Sequence, residues 1–387
     1  MKMGKRIGII GASASGVYTA LLAKYRNPSL QITLFDRTDK IGKKILATGN
    51  GHCNLLHDPF LIEAYNHPDF VSSLLHSTHD FGLKDALNQL HIETMTKGEL
   101  VYPLSYSAPS YVRYLSTLLE KADVDIHLGE KVCEVHGAEI HTDKGKYVFD
   151  HVVFAFGGCS QPNLGSDGSL FPVLKALGYH IVPLRPGLCP LRCSDVPRSL
   201  SGVRHAAKIS LVGEKTLYEE NGEILFKKDG VSGICIMNAS LFFKPGTSLV
   251  VDFFPDRNEG ELSSTLERSL HYNGDDFLLP ILEKPLMEFF LKKGENAAKT
   301  HSISEKARYY SHLLKHTVFH PSGLYPFEES QVSCGGVSLD DVDEHLRSKV
   351  DSRHYFVGEC LDVHGLCGGH NLGFALLSAL VASGELA

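Results

Sequence analysis

Two histidines in glycine-rich stretches are the side chains of this sequence best suited to moving a proton. His52 lies within residues 42–54 (GKKILATGNGHCN), and His370 lies within residues 365–373 (GLCGGHNLG). An imidazole exchanges a proton near neutral pH, and a glycine-rich loop lets a flat polar ligand approach the backbone. We therefore predict His52 and His370 as catalytic residues beside a ligand. A histidine that only hydrogen-bonds to backbone or ligand is the alternative.

A second set of residues, at the start of the chain, has the spacing of a nucleotide site. An apolar run at 6–10 leads into the small-residue turn 11–16 (GASASG), and Asp36 ends the next apolar run, 20 residues after Gly16. This order is typical of a dinucleotide-binding βαβ unit, although Ser13 stands where a middle glycine is expected. We predict that Asp36 binds a ribose and that the pyrophosphate contacts the turn residues Gly11, Ser13, Ala14, Ser15 and Gly16.

Two residues of the stretch 42–54 each leave two interpretations open. Lys44 can meet a phosphate or remain a solvated surface lysine, because a loop of this composition favours neither. Cys53 can be an inert buried thiol or a reactive one, and the inert thiol is the commoner case.

The remaining pattern indicates how these residues are positioned. Short apolar segments between 126 and 149 predict an antiparallel meander, and a buried strand at 151–156 follows it. Near the other end, a strand at 355–357 leads to Glu359, and after the glycine-rich turn a short apolar helix is predicted over 374–382. A strand that ends in an acid and a helix N-terminus flanked by glycines form a second ligand-facing edge.

Composition excludes several classes of protein. The chain has 387 residues, a net charge of −7 and nine cysteines without a Cys-x-x-Cys pair. The length suffices for two or three domains. The acidic balance gives no electrostatic case for nucleic acid or an anionic membrane, and no apolar run approaches the ~20 residues of a membrane span. We expect a cytoplasmic protein with reduced thiols and no metal.

Taken together, the motifs resemble a known family. The sequence is similar over nearly its whole length to the two-dinucleotide-fold FAD proteins, which include aminoacetone oxidases, a flavin reductase of bile-acid metabolism and a ribosomal-RNA dihydrouridine synthase. The most specific matching segments are 42–54, 222–226 with 230–233 (GEILF and GVSG), and 358–365 with 368–372 (GECLDVHG and GGHNL).

The resemblance implies an α/β fold with three domains. A Rossmann-like FAD-binding domain of the two-dinucleotide-binding type would comprise residues 1–188 and 328–387. An inserted β-barrel-like substrate domain would comprise 189–256 and 315–327, and a small helical domain 257–314. The short strands predicted between 200 and 255 and the helical spacing after Glu259 agree with this order.

The resemblance also implies which residues surround FAD. Besides the N-terminal turn and Asp36, the family pattern places at the cofactor Arg37, Lys44, Thr48, Gly49, Asn50, Cys53, Asn54, Val132, Gly157, Gly358, Glu359, Gly369, His370, Asn371 and Leu372. A helix N-terminus aimed at the flavin stabilises the negative charge that accumulates on reduction. Two positions depart from the family: His52 stands where many members carry Arg, and His370 where many carry Tyr.

Three functions follow from this sequence. The favoured prediction is an FAD-dependent oxidase of a small amine or amino ketone resembling aminoacetone, with O₂ as electron acceptor and H₂O₂ as product, because no second intact glycine motif for NAD(P)H is visible. The alternative is an NAD(P)H-dependent flavin reductase of a C=C bond, in a small molecule or a ribosomal-RNA uridine. A non-catalytic flavin-dependent regulator is a third class. A homodimer stays open, and a nucleic-acid partner is disfavoured by the acidic charge.

Overall fold

The chain folds into two compact units. In the computed structural model, the first unit comprises Met1–Pro186 and Gln331–Ala387, and the second comprises Gly187–Ser330. The structure describes residues 4–78, 81–295 and 302–387.

Runs of strands, interrupted by single helices or groups of helices, make up most of the described chain. The described residues contain twenty strands: β1 (Arg6–Ile10), β2 (Gln31–Asp36), β3 (Leu56–His57), β4 (Thr94–Lys97), β5 (Leu100–Pro103), β6 (Asp125–Leu128), β7 (Val132–His136), β8 (Glu139–Thr142), β9 (Lys146–Val148), β10 (His151–Phe154), β11 (Ile181–Gly187), β12 (Leu191–Cys193), β13 (Arg204–Val212), β14 (Thr216–Lys227), β15 (Gly230–Ser232), β16 (Ser248–Asp252), β17 (Thr317–Phe319), β18 (Pro321–Leu324), β19 (Val332–Val337) and β20 (His354–Phe356). They also contain ten α-helices: α1 (Ala14–Arg26), α2 (Pro68–Ser77), α3 (Leu83–Gln89), α4 (Ala108–Lys121), α5 (Phe171–Ala176), α6 (Ile234–Ser240), α7 (Glu259–Asn273), α8 (Lys284–Gly294), α9 (Ile303–Lys315) and α10 (His370–Leu386). Among these described helices, none combines the length and the apolar character that crossing a lipid bilayer requires.

A parallel sheet of five strands forms the centre of the first unit. Its order is β20–β10–β1–β2–β6, so the last strand of the chain lies beside β10 and two strands from the first. In β1, Ile7 and Ile9 have no exposed surface, as expected for a strand between two neighbours in a parallel sheet. Both ends of the chain therefore contribute to one Rossmann-like sheet, as the resemblance implied.

Besides the shared sheet, contacts between helices α1 and α10 also hold the two ends of the chain together. The Arg26 guanidinium, at the end of α1, donates from Nη1 to Leu380 O at 2.8 Å and to Ser383 Oγ at 2.7 Å. The helix α10 is longer than the apolar run 374–382 predicted, because it begins at His370 directly after Gly369. Glycine there adopts a φ of 88°, which the tight entry into the helix requires.

The predicted meander is correct in three of its four strands. β7, β8 and β9 pair antiparallel in chain order, whereas β6 (Asp125–Leu128) pairs parallel with β2 at the edge of the central sheet. Placing residues 126–128 in the meander was wrong. A four-residue strand carries no signal that distinguishes parallel from antiparallel pairing, and α4, which precedes it, supplies the crossover that a parallel neighbour needs.

The second unit is built on a seven-stranded sheet. Its order is β17–β16–β13–β14–β15–β12–β18, and every pairing is antiparallel. Helices α7, α8 and α9 share the hydrophobic core of this sheet, where Phe253 and Phe290 meet edge to face with ring centroids 5.1 Å apart. The finer division at residues 256 and 257 stays a prediction.

We predict that Arg26→Met destabilises the first unit. The substitution removes both hydrogen bonds to α10 and costs about 1–2 kcal/mol, because a charged donor is lost from a partly buried position. Thermal unfolding followed by circular dichroism would show a lower Tm. Arg113→Met, at an exposed position of α4, is the matched control and should leave Tm unchanged. Equal Tm values for the two variants would contradict the prediction.

Candidate functional site

The carboxyl ends of β1 and β2 hold the first group of predicted site residues. Gly11 N donates to Phe35 O at 2.8 Å, and Ala12 N donates to Asp36 Oδ2 at 2.8 Å. Thr38 N donates to Asp36 Oδ1 at 2.7 Å. The Asp36 carboxylate is thus held in place by two backbone amides, and each of its oxygens keeps a lone pair that can accept a ribose hydroxyl.

The segment between β1 and α1 leaves no room for a side chain at Gly11 or at Gly16. A Cβ on Gly11, whose φ is +113°, would lie 2.3 Å from Ala155 O, and a Cβ on Gly16 would lie 1.9 Å from Gly11 O. Ser13 has an extended backbone with φ −104° and ψ −158°, which any residue adopts. The serine in place of a middle glycine therefore causes no backbone strain. Helix α1 begins at Ala14, and its first amides have no partner within the helix.

A cleft beside this turn brings four predicted residues together. Gly11, Asp36, Arg37 and Val132 all line it. Arg37 also forms an ion pair with Asp167, a lining residue that the sequence did not reveal. Burial would raise the pKa of Asp167, but hydrogen bonds from Arg37 and Ser169 lower that pKa below its usual range. The cleft therefore combines charged side chains with apolar ones such as Val132 and Phe35.

A second group surrounds Glu359, which follows β20. Lys44 Nζ lies 2.5 Å from Glu359 Oε2 and 2.6 Å from Ser160 Oγ. Ser160 Oγ donates to Glu359 Oε1 at 2.9 Å, and Ser333 N donates to the same oxygen at 2.8 Å. Lys44 and Glu359 are 19% and 21% exposed. Lys44 is therefore neither a solvated lysine nor unpartnered in this structure, because an ion pair holds it at the sheet edge.

Two glycines lie close to side chains of the first and second groups: Gly157 near Glu359, and Gly358 near Ser15. A Cβ on Gly157 would lie 3.8 Å from Glu359 Oε2 and 2.9 Å from Ser166 Oγ, and a Cβ on Gly358 would lie 2.6 Å from Ser15 Oγ. The Ser166 hydroxyl is buried without a hydrogen-bond partner among the described residues. A buried hydroxyl of this kind costs free energy unless a ligand satisfies it, and its position beside Gly157 fits a polar ligand.

The third group lies at the N-terminus of α10. With its oxygen and nitrogen exchanged, the orientation that its neighbours favour, the Asn54 carboxamide donates to Leu56 O at 3.0 Å and accepts from Gly369 N at 3.1 Å. Asn371 closes the glycine-rich turn, since its side chain accepts from Gly365 N and donates to Gly365 O, both at 2.9 Å. Asn371 can therefore reach a ligand through its backbone amide, while its side chain holds the loop. Leu372 follows it in the first turn of α10.

His370 is buried and neutral. It is 3% exposed, its ring stacks on His57 with centroids 4.7 Å apart, and its Nδ1 has no hydrogen-bond partner among the described residues. Burial, and then the neighbouring His57, lower the pKa of His370 to about 4. The imidazole can donate or accept one hydrogen bond toward a ligand, but at neutral pH it carries no charge.

His52 lies in different surroundings. Its Nδ1 is 3.0 Å from Tyr106 O, and its ring stacks on the Tyr106 ring with centroids 3.9 Å apart. Among the described residues, no hydrogen bond or ring contact joins His52 to His370. Thr48, Gly49 and Asn50 form the kinked 3₁₀ turns that precede His52. Cys53 is fully buried, and burial raises the pKa of its thiol to about 12, which agrees with the inert thiol.

Sequence reasoning missed five polar residues of the candidate site: Asp167, Ser160, Ser166, Ser333 and His57. Ser160 follows the glycine pair after β10, a signal that could have identified it. Ser333 lies on β19 in an extended apolar segment, and its role depends on a contact with Glu359, 26 residues away. His57 has no motif of its own and becomes relevant only through its stacking on His370.

We predict that His370→Gln weakens the pH dependence of stability. An unfolded imidazole has a pKa of about 6.5, whereas burial holds His370 near 4. Below pH 6.5 the unfolded chain binds a proton that the fold does not, so stability falls with pH by up to about 1.4 kcal/mol per unit until about pH 4. Urea unfolding between pH 7.5 and 5 should give a shallower loss for the variant. His364, whose pKa burial also lowers to about 4, retains its contribution. Identical slopes for variant and wild type would refute this assignment.

Comparison with known proteins places this geometry in a family. The family description HI0933-like protein Rossmann domain matches residues 5–385. The chain is 30% identical to a 3-dehydro-bile acid delta(4,6)-reductase of Clostridium scindens, over 97% of this chain and 98% of that protein. It is 27% identical to a ribosomal RNA dihydrouridine synthase of Haemophilus influenzae, over 96% of each. A flavocytochrome c3 fumarate reductase has a similar fold, with a TM-score of 0.50 at 12% identity, covering 100% of this chain and 78% of that one.

The family match spans nearly the whole chain, and the relatives it resembles are matched over nearly their full length. The protein thus belongs to the HI0933-like Rossmann family of flavin-dependent oxidoreductases.

Proposed function

We propose that the carboxyl edge of the parallel sheet binds FAD. The observation that carries this proposal is the convergence of three groups there: the Gly11 turn with Asp36, the Lys44–Glu359 pair, and the N-terminus of α10. Two helix N-termini at one edge favour an anionic ligand, and the tight Gly11 turn admits a pyrophosphate close to the backbone. The unpartnered Ser166 hydroxyl supplies a further polar contact.

Each group would hold a different part of the cofactor. Asp36 and Val132 would contact the adenosine, the first amides of α1 the pyrophosphate, and Glu359 the ribityl chain. The residues from Gly369 to Leu372 would border the isoalloxazine. When bound, FAD supplies reversible two-electron chemistry. The chain's own contribution is to orient it and to place the neutral His370 Nδ1 at the N-terminus of α10.

We further propose that the enzyme is an NAD(P)H-dependent reductase of a C=C bond conjugated with a carbonyl in a small molecule. The relative from Clostridium scindens, named as a reductase and matched over almost its whole length, supports this choice over the oxidase. The net reaction takes two electrons and one proton from NAD(P)H and a second proton from water. His370 and His52 can hold or pass such a proton only if each lies beside the substrate, so their catalytic role stays a prediction.

The oxidase of a small amine remains the second candidate. One observation favours it: the sequence contains no second intact glycine motif for a permanently bound nicotinamide. Such an enzyme would use O₂ as acceptor and release H₂O₂. The net charge of −7 argues against a ribosomal-RNA substrate, since RNA binding relies on basic surface. A cytoplasmic location is part of the proposal, supported by free thiols at Cys53, Cys133 and Cys159. The homodimer stays a prediction.

We predict that Asp36→Ala weakens FAD binding about 10- to 100-fold, because a charge-assisted hydrogen bond to the ribose is worth about 1.5–3 kcal/mol. Protein expressed with ample riboflavin should be yellow, and the variant should lose its flavin on dialysis. Flavin fluorescence during reconstitution of apoprotein gives the affinities. Asp39→Ala is the matched control, because this neighbouring carboxylate pairs with Lys43 and is 71% exposed. Wild-type retention in Asp36→Ala, or a colourless wild type, would contradict the FAD site.

We predict that NADH or NADPH bleaches the oxidised protein anaerobically and that a 4,6-dien-3-one bile acid then restores the colour faster than dissolved O₂ does. Stopped-flow absorbance measures both half-reactions. Aminoacetone and a uridine-containing ribosomal-RNA fragment are tested in the same way. Rapid bleaching by aminoacetone, with fast recovery in air and none with the dienone, would favour the oxidase and reject the reductase.

A further inference from the structure

The hairpin of β7 and β8 carries four polar side chains on one face. Glu134 lies opposite His141, and His136 lies opposite Glu139. Directly opposed residues, and residues two apart on one strand, share a face of a sheet. The intervening pair on the other face, Val135 and Ile140, is buried. Two imidazoles and two carboxylates therefore form a compact square on the exposed face.

A β-bulge produces this arrangement. Val132 pairs with Thr142 and Glu134 with His141, so Cys133 is an extra residue between them. The bulge lets Val132 point into the core, 7% exposed, while Glu134 points outward with 62% of its side chain exposed. In a regular strand, residues 132 and 134 would lie on the same face, because side chains alternate with a period of two. The strand thus contributes both to the cleft lined by Val132 and to the polar square on its other side.

The distances within the square suit a metal ion. Glu134 Oε2 lies 2.9 Å from His136 Nε2 and 3.6 Å from His141 Nδ1. One ligand atom from each of these three residues lies within 4.8 Å of the others. Ligand atoms around tetrahedral Zn²⁺ are about 3.3 Å apart, given bonds of about 2.0–2.1 Å. Small side-chain rotations would bring the separations of 2.9 and 3.6 Å to about 3.3 Å.

Glu139 supplies the feature that separates this square from a chance surface cluster. Its Oε1 lies 2.7 Å from His141 Nε2, on the side of the ring away from Nδ1. A carboxylate behind an imidazole fixes the proton on one nitrogen and leaves the other as a metal ligand. His141 is only 17% exposed, so its ring is also held by packing.

We propose that Glu134, His136 and His141 bind one Zn²⁺ ion, with water as the remaining ligand and Glu139 as the residue that positions His141. Bound there, the ion joins β7 to β8 across the bulge and stabilises the wall of the neighbouring cleft.

A second cluster of the same residue types provides an internal control. Glu259, His312 and His316 also offer three ligand atoms within 4.8 Å, and all three residues are exposed. Within the described chain, however, both histidines face the same Glu259: His312 Nδ1 at 3.2 Å and His316 Nε2 at 3.7 Å. Among the described residues, no second carboxylate pairs with either imidazole, so we expect weaker binding there.

The test is isothermal titration of the metal-stripped full-length protein, with its bound cofactor retained, using ZnCl₂ at pH 7.5. We expect one tight equivalent in the wild type. His141→Ala should abolish it, and Glu139→Gln should weaken it about 10- to 100-fold. His136→Gln, at a position 60% exposed, gives a second loss without disturbing the core. His312→Ala and Cys133→Ser should leave the tight equivalent intact.

Thermal unfolding gives an independent readout. Saturating Zn²⁺ should raise the Tm of the wild type and of His312→Ala, and should leave the Tm of His141→Ala unchanged, because a ligand stabilises only the state that binds it. Equal affinity in the wild type and His141→Ala would overturn the proposal. So would the loss of the tight equivalent in His312→Ala, or the absence of tight binding in the wild type.

Discussion

The pairing of β20 with β10 is the interaction on which the rest of the first unit depends. Buried backbone amides and carbonyls must be paired, and the last strand of the chain meets much of this requirement by pairing parallel with β10. Phe154 and Phe356 stack across this pairing with centroids 4.9 Å apart. This pairing also sets the position of Glu359, three residues after β20, and of the glycine-rich turn that leads to α10. They arrive at the same sheet edge at which β1 and β2 end in Gly11 and Asp36.

Charge at this edge is arranged in neutral pairs around positive helix ends. Lys44 pairs with Glu359, and Arg37 pairs with Asp167. Each acid neutralises its cation, so neither pair adds net charge beside the N-termini of α1 and α10. His370, in the first turn of α10, avoids a positive charge because burial lowers its pKa. What remains is the partial positive charge of unpaired helix amides, which suits a pyrophosphate and a flavin that gains electrons.

The family match identifies the family of this protein, whereas the likeness to a solved structure concerns its fold. The match to the HI0933-like Rossmann domain covers residues 5–385 and identifies the family, whereas the flavocytochrome at 12% identity speaks for the fold alone. In this protein, His52 and His370 lie in unlike surroundings. One stacks on Tyr106 in a partly exposed loop, and the other is enclosed beside His57. A shared role for the two histidines therefore has no geometric basis in the described contacts, and each requires its own test.

The sequence by itself determined the elements whose signals are local: the βαβ unit, the acid at the end of β2, and the glycine turn before α10. These depend on spacing within about forty residues, and the structure reproduces them, including a Ser13 that needs no positive φ. Only the tertiary structure decided that β6 joins the parallel sheet and that Lys44 pairs with Glu359, 315 residues away. The physical reason is that a strand or side chain is satisfied by whichever partner folding brings beside it, and a single sequence does not encode that partner locally.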